Sequence, residues 1–128
     1  MTGRRIFDGH NDLLSCLWDA RDLRGDSFVS GRDGMLDRAK CRAGGFAGGF
    51  FAVWPGNDPT RSPDPMAIRR EFPAIDPVQA ARETAGQIAV LLRMVAAHPE
   101  AIRLCTSAAA ITAAEAAGAV AAILHIEG

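Results

Sequence analysis

The sequence predicts an α/β protein built around a parallel β-sheet, and three observations support this prediction. Short apolar segments alternate with helical segments in the order strand, helix, strand, helix, strand, helix, strand. Two of the apolar segments, residues 46–54 and 119–127, are apolar on both faces, which is typical of strands buried in a parallel sheet. The length of 128 residues allows one domain at most. Alternation of this kind produces right-handed βαβ units.

The predicted elements of the first half follow from local patterns. A half-apolar run followed by polar residues indicates a strand, and the leucines and tryptophan after it have helical spacing. The next stretch is charged and contains three glycines, which favours a loop. A glycine pair then ends a short basic helix before the second strand. In order, these elements are a strand at 6–10, a helix at 11–20, a loop at 21–34, a helix at 35–43 and a strand at 46–54.

The second half opens with a long loop at residues 55–77, which contains six of the seven prolines. Loops of this length often serve as lids or insertions. Asp76 is a good N-cap and Pro77 suits the first helical position, so a helix is predicted from there to about His98. Its apolar residues form a single stripe that is expected to face the core: Val78, Ala81, Ala85, Ile88, Leu92 and Val95.

The chain closes with a short strand, an alanine-rich helix and a final strand. Residues 101–106 form the short strand. Ser107 is expected to cap the helix, which runs to Ala117, and Gly118 to end it. Residues 119–127 form the last strand.

The composition argues against several classes of protein. The 14 basic residues are balanced by 15 acidic residues, which argues against a nucleic-acid partner. No apolar run reaches the roughly 18 residues of a membrane span, and the start of the chain becomes polar before a signal-peptide core forms. The three cysteines are widely spaced and include no CxxC pair, so neither a disulfide framework nor a thiolate zinc site is indicated. A cytoplasmic location is therefore expected, with no membrane partner.

The first candidate site residues are His10 and Asp12. Side chains two apart on a strand share a face, so both can point the same way if the chain stays extended. They follow an apolar strand, and α/β folds place ligands at the carboxyl ends of their parallel strands. Imidazole nitrogen and carboxylate oxygen are both zinc ligands. In the alternative interpretation, Asp12 only caps the following helix and His10 is an ordinary polar strand end.

The second candidate is Glu127, which ends the most hydrophobic strand. A carboxylate that closes such a run is costly to desolvate unless it is paired or binds a cation. His10, Asp12 and Glu127 would meet if these strands converged in a barrel. The alternative is a solvated residue just past the strand, or the cap of a following helix. His125 is in phase with Glu127 and is expected one layer deeper, as a supporting or core residue.

Three motifs resemble one known family in order and spacing. They are FDGHNDLL, RAGGFAGGFFAVW and ILHIEG. Together they are similar to motifs of the renal or membrane dipeptidases, peptidase family M19 of the amidohydrolase superfamily. Each motif is weak alone, but the three cover the whole chain. Two positions depart from the family pattern: Leu14 stands where many relatives have proline, and His125 where the mammalian-type motif has glycine.

The resemblance implies the N-terminal half of a TIM-type (β/α)8 barrel with a two-zinc centre. Residues 1–128 would form one partial domain that is truncated after the Glu127 strand. By matching positions, His10 and Asp12 would bind one zinc ion and Glu127 would bridge both. Asp8 and His125 are candidates for supporting residues behind these ligands. The remaining ligands, the proton-transfer acid and a carboxylate-binding arginine would come from the missing C-terminal half of the barrel.

The resemblance also implies a zinc-dependent dipeptidase. In this family two zinc ions lower the pKa of a shared water, and the bridging hydroxide attacks the peptide carbonyl. The expected partners are a dipeptide substrate and the missing half of the barrel, with a homodimer also allowed; the 128-residue chain alone is expected to be inactive. Two alternatives stay open. One is another metal hydrolase of the amidohydrolase superfamily, and the other is a metal-free half-barrel with a binding or assembly role.

Overall fold

The computed structural model describes residues 5–56 and 75–127. They form four parallel strands and five helices, which confirms the α/β class. The predicted long loop at 55–77 lies mostly outside the described residues. The elements are β1 (Ile6–Asn11), α1 (Leu13–Asp19), α2 (Asp26–Ser30), α3 (Arg38–Gly44), β2 (Phe46–Val53), α4 (Pro77–Ala97), β3 (Ile102–Leu104), α5 (Ala108–Ala116) and β4 (Val120–Ile126).

The strands of the sheet lie in the order β1-β2-β4-β3, so β4 sits between β2 and β3. Strand β4 pairs with β2 along most of its length, but with β3 only from Val120 to Ala122. The close pairing of β1, β2 and β4 depends on two glycines of β2. A Cβ on Gly48 would overlap Ala121, and a Cβ on Gly49 would lie 2.7 Å from the Asp8 carbonyl oxygen.

The strand order places helices on both faces of the sheet. The chain passes beyond the position of β4 to form β3 and then returns, so the two right-handed crossovers run in opposite directions. Val120 and Ala122 of β4 accordingly pack in the main core with α1 and α4. Ala121, on the other face, packs with Cys105 and with Ala114 of α5. A strictly sequential winding would have put these helices on one side.

Helix α4 begins where the sequence predicts, because the Asp76 carboxylate accepts a hydrogen bond from Gln79 N at 2.8 Å. The prediction of its buried face is wrong for most of the stripe, in which only Ile88 and Val95 pack against the core. Val78 is 77% exposed and Leu92 is 50% exposed. The core side of α4 instead carries a mixed set of buried residues: Gln87, Val90, Leu91 and Met94. Counting apolar residues favoured the wrong stripe because the real interface includes a polar side chain that is bonded inside the protein.

The loop predicted at 21–34 contains the short helix α2, which is a second correction. The Asp22 carboxylate accepts hydrogen bonds from Asp26 N at 3.0 Å and Ser27 N at 2.8 Å. Phe28 is completely buried and anchors the turn to the core. The charged and glycine-rich sequence of this stretch predicted a loop. The Asp22 carboxylate and the buried Phe28 ring are nevertheless enough to stabilise a short helix here.

Candidate metal-binding cleft

Three of the predicted site residues come together at the carboxyl end of the sheet. His10 Nε2 lies 3.0 Å from Asp12 Oδ1, and His10 Nδ1 lies 3.8 Å from Glu127 Oε2. The imidazole of His10 therefore stands between two carboxylates. All three side chains reach solvent, with exposures of 43%, 60% and 41% for His10, Asp12 and Glu127.

Asp12 does not act as the helix cap that the alternative interpretation required. It occupies the N-cap position of α1, but its side chain makes no capping hydrogen bond. Asn11 Oδ1 accepts from Leu13 N instead, at 3.4 Å. The carboxylate of Asp12 is left to face His10, although the backbone at Asp12 is no longer extended. The side chains of His10 and Asp12 thus meet across a turn of the backbone at Asp12, and not because residues two apart share a face of an extended strand.

The orientation of His10 depends on an irregularity in β1. Asp8 pairs with Gly49 and Asn11 with Phe51, so β1 has one more residue than β2 over this interval. Such a bulge re-aims the side chains next to it. Asp8 stabilises this turn of the chain: its carboxylate accepts from His10 N and from Asn11 Nδ2, both at 3.2 Å.

Asp8 thus contacts the backbone of His10 and the amide of Asn11. The buried Asn11 also donates to the Phe50 carbonyl oxygen at 3.1 Å, which ties the bulge to β2. Sequence reasoning did not single out Asn11. Its position between His10 and Asp12 was the signal, because a polar residue there must either be solvated or hold the strand end in place.

His125 lies beside His10 and does not line the cleft. Its ring centroid is 6.4 Å from that of His10 and 6.0 Å from that of Phe50, both in edge-to-face geometry. Phe50 in turn meets Phe7 edge to face at 6.2 Å. The rings of His10, His125, Phe50 and Phe7 therefore form a continuous row. The assignment of His125 as a supporting residue stays a prediction.

A cleft of about 370 Å³ opens above these residues. Besides His10, Asp12 and Glu127, it is lined by three residues that sequence reasoning did not select: Ser15, Cys16 and Trp54. Ser15 and Cys16 lie in the first turn of α1, three and four residues after Asp12. Helical spacing puts them on the same side as Asp12, and this was the signal that could have found them. Trp54 comes from the end of β2, and its place at the carboxyl end of a strand was the signal that could have found it.

Two of the three cysteines, Cys41 and Cys105, give no support to a thiol nucleophile. Burial raises the pKa of the Cys41 thiol to about 11, and burial also raises the pKa of Cys105. A nucleophilic cysteine needs the opposite shift, since the thiolate is the reactive form. Neither of these two residues lines the cleft.

The donor set of the cleft fits a zinc ion in its chemistry. One imidazole and two carboxylates are the nitrogen and oxygen ligands that zinc takes in hydrolytic sites. In the described residues, no group of three or more His, Cys, Asp or Glu side chains is arranged so that it could hold a metal ion. His10 pairs with the two carboxylates instead, so metal binding would exchange at least one of these pairings for a metal bond.

Comparison with known proteins agrees with the fold. The model of the family "Membrane dipeptidase (Peptidase family M19)" matches residues 1–128. An uncharacterised protein from the PQQ-III 3′ region of Acinetobacter calcoaceticus is 30% identical over 127 residues, which are 96% of this chain and 40% of that protein.

Two solved structures are also similar. The dipeptidase AC, a metallopeptidase of family M19, has a TM-score of 0.77 and 34% identity over 97% of this chain and 35% of its own. A metallopeptidase from Rhodobacter sphaeroides, liganded with a phosphinate mimic of the dipeptide L-Ala-D-Ala, has a TM-score of 0.79 and 32% identity over 97% of this chain and 38% of its own. The chain therefore spans well under half the length of these relatives.

The fold and these similarities define an α/β protein related to the barrel-forming metallopeptidases. The chain belongs to peptidase family M19, the membrane dipeptidases. None of the helices at residues 5–56 and 75–127 has both the length and the apolar character needed to cross a bilayer.

Proposed function

We propose that this chain supplies the first part of a two-zinc dipeptidase site, with His10, Asp12 and Glu127 as its metal ligands. The observation that carries the proposal is the His10 imidazole, which stands within 4 Å of both carboxylates at the carboxyl end of the sheet. Membership of family M19 supports a metal-dependent hydrolase, and the similar Rhodobacter sphaeroides enzyme is liganded with a dipeptide mimic. The proposed substrate is therefore a dipeptide.

Each residue has a distinct role in this proposal. His10 and Asp12 lie on one short stretch whose geometry is fixed by the β1 bulge, so they form a rigid pair for one zinc ion. Glu127 approaches from β4 and has two carboxylate oxygens, which allows it to bridge to a second zinc ion. Zinc, when bound, supplies Lewis acidity towards a water molecule and the peptide carbonyl. Asp8 and Asn11 hold the backbone that presents His10.

The proposal includes the need for further protein. The described residues offer one imidazole and two carboxylates in the cleft, whereas two zinc ions need more ligands than these. We propose that the rest of the ligands and the proton-transfer acid belong to the part of the relatives that this chain does not span. Residues 1–128 alone would then be an incomplete, inactive portion of a barrel, in a cytoplasmic protein that is free to dimerise.

Two other functions make predictions that differ from this proposal, one about the substrate and one about the metal. Another hydrolase of the amidohydrolase superfamily would bind zinc at the same residues but would prefer a different amide substrate. A metal-free half-barrel that serves assembly would bind no zinc at all. A comparison of the hydrolysis of dipeptides with that of N-acetylated amino acids distinguishes the first alternative from the proposed dipeptidase. Zinc content distinguishes the metal-free half-barrel from it.

The proposed function is tested by zinc content after dialysis and by dipeptide hydrolysis, in the whole protein that carries this chain. His10→Ala is expected to lose zinc and activity together. His98→Ala is a matched control, because His98 Nε2 also pairs with a carboxylate, Asp26 Oδ1 at 2.8 Å, but lies outside the cleft. Equal zinc content in the two variants, or a protein without zinc and without dipeptide hydrolysis, would contradict the proposal.

A further inference from the structure

The backbone of Trp54 is held by one side chain of α4. Gln87 Oε1 accepts a hydrogen bond from Trp54 N at 3.0 Å, and Gln87 Nε2 donates to the Trp54 carbonyl oxygen at 2.8 Å. Gln87 is 1% exposed, so these bonds form inside the protein. A buried amide must satisfy both its donor and its acceptor. Gln87 does so on the two backbone groups of a single residue, much as a neighbouring strand would.

A second residue of α4 fixes the chain just beyond Trp54. Glu83 Oε2 accepts from Gly56 N at 2.7 Å, and Gln79 Nε2 donates to Glu83 Oε1 at 2.9 Å. The segment that leaves β2 is thus bonded to α4 at both Trp54 and Gly56. These bonds to α4 take the place of the backbone hydrogen bonds between strands at the point where β2 ends.

Trp54 is placed beside the candidate ligands. It lines the cleft with His10, Asp12 and Glu127. Glu127 N also donates to the Val53 carbonyl oxygen at 3.2 Å, so the end of β2 and the Glu127 backbone are directly joined. Four of the six lining residues are polar or charged, and Trp54 provides the one large apolar side chain among the described residues.

We propose that Trp54 is a specificity-determining residue of the cleft, and that Gln87 is the positioning residue that sets it in place. The inference rests on the proposed function and names the substrate class more closely: dipeptides with an apolar side chain, which packs against the indole. Gln87 acts through Trp54 and touches no substrate. A shift of Trp54 by about 1 Å is enough to change reaction rates or binding strongly.

The chemistry predicts what loss of Gln87 does. Gln87→Leu has a similar volume but leaves Trp54 N–H and C=O without their partners, and unsatisfied buried groups are costly. The segment is expected to move until these groups find other partners. Gln87→Glu keeps an acceptor for Trp54 N–H but has no donor for the carbonyl, so it is expected to have an intermediate effect.

Steady-state kinetics of the whole protein that carries the chain test the inference. Gln87→Leu is expected to raise KM for alanyl-leucine about tenfold, with kcat changed much less and zinc content unchanged. Trp54→Ala is expected to raise KM for alanyl-leucine more than for glycyl-glycine. Arg93→Ala is the control, because Arg93 is exposed on the same helix and does not line the cleft. Unchanged KM in Gln87→Leu, or loss of zinc from it, would overturn the inference.

Hydrogen exchange separates failure of this inference from failure of the proposed function. The Trp54 amide is expected to exchange at least tenfold faster in Gln87→Leu than in wild type or Arg93→Ala. Equal protection in all three proteins would overturn the positioning role, whatever the activity. If wild type hydrolyses no dipeptide, the proposed function is wrong. The role of Trp54 would then be overturned as well if wild type and Trp54→Ala bind a phosphinate mimic of L-Ala-D-Ala equally.

Discussion

His10 and Glu127 lie near opposite ends of the chain, yet His10 Nδ1 is 3.8 Å from Glu127 Oε2. The contact depends on β2, which pairs with β1 on one side and with β4 on the other. Because all three strands are parallel, their carboxyl ends lie at the same edge of the sheet. The relationship of these two residues thus follows from the sheet, and the proposed metal site depends on it.

Replacement of the proposed metal-bridging carboxylate, Glu127, tests that dependence. Glu127→Gln keeps the shape of the side chain but removes its charge, so zinc affinity at pH 7 is expected to fall by about tenfold or more. Competition with a chromophoric chelator measures this change. Glu100→Gln is the control, since Glu100 pairs with Arg38 at 3.6 Å and does not line the cleft. Equal zinc affinity in Glu127→Gln and wild type would rule out Glu127 as a ligand.

The proposed supporting role of His125 predicts a milder effect. Its ring contacts His10 and Phe50 by their edges, and it does not line the cleft. His125→Gln is expected to leave zinc stoichiometry unchanged and to reduce kcat/KM by about 3- to 10-fold, through a less firmly held His10. Metal analysis and steady-state kinetics check both expectations. Loss of one zinc equivalent would show that His125 is itself a ligand.

The exposed aromatic pair of Phe7 on β1 and Phe50 on β2 predicts that residues 1–128 associate when they are expressed alone. Phe7 is 43% exposed and Phe50 is 36% exposed, and the two rings pack together. Replacement of both by serine is expected to shift the chain towards monomer in size-exclusion chromatography with light scattering, because it removes exposed apolar surface. Met35→Ser is the control, as Met35 is 90% exposed but lies between α2 and α3, away from the sheet.

The isolated chain is also expected to be inactive towards dipeptides when zinc is added, because its cleft offers too few ligands for two metal ions. A monomeric 128-residue chain that turned over dipeptides at a rate near that of the whole protein would contradict this expectation.

The contact of α1 with α4 predicts a position that cannot accept a side chain. A Cβ on Gly86 would overlap the indole of Trp18, which is a rigid group. Gly86→Ala gains about 1 kcal/mol of helix propensity, but overpacking costs about 1–3 kcal/mol or more, so a net loss of stability is expected. Gly44→Ala, where a Cβ meets nothing within 4 Å, is expected to be neutral or stabilising. Urea unfolding of both variants measures the difference, and a stabilised Gly86→Ala would show that α1 can move aside.

Asp37 predicts a pH dependence of stability. A hydrogen bond from Lys40 Nζ, with a second from Lys40 N at 2.8 Å, lowers the pKa of Asp37 from its ordinary value of 3.8 to about 2. A lowered pKa means that the ionised carboxylate stabilises the fold above about pH 4 and that this contribution is lost as the pH falls towards 2. Asp37→Asn should therefore be less stable than wild type at pH 6, and the difference should vanish near pH 2.

Thermal unfolding between pH 2 and 6 measures this difference. Asp33→Asn is the control, because Asp33 is exposed and precedes the same helix. A constant difference between Asp37→Asn and wild type across this range would show that the charge of Asp37 has no part in the stability of α3.

The sequence by itself determined the local structure and the candidate residues. Strand and helix alternation, the Asp76 and Ser107 caps and the parallel class all follow from interactions over a few residues, and the structure confirms them. His10, Asp12 and Glu127 could be selected because a polar residue at the end of an apolar strand is placed at the binding edge of any parallel sheet. That part of the prediction needed no knowledge of strand order.

Only the tertiary structure decided which faces meet. The β1 bulge turned His10 between two carboxylates, and the buried Gln87 selected the core face of α4. The place of β4 between β2 and β3 put α5 on the opposite side of the sheet from α4. These features depend on contacts between residues that are far apart in the chain. A polar residue such as Gln87 has the same local pattern whether its partner is water or the backbone of Trp54.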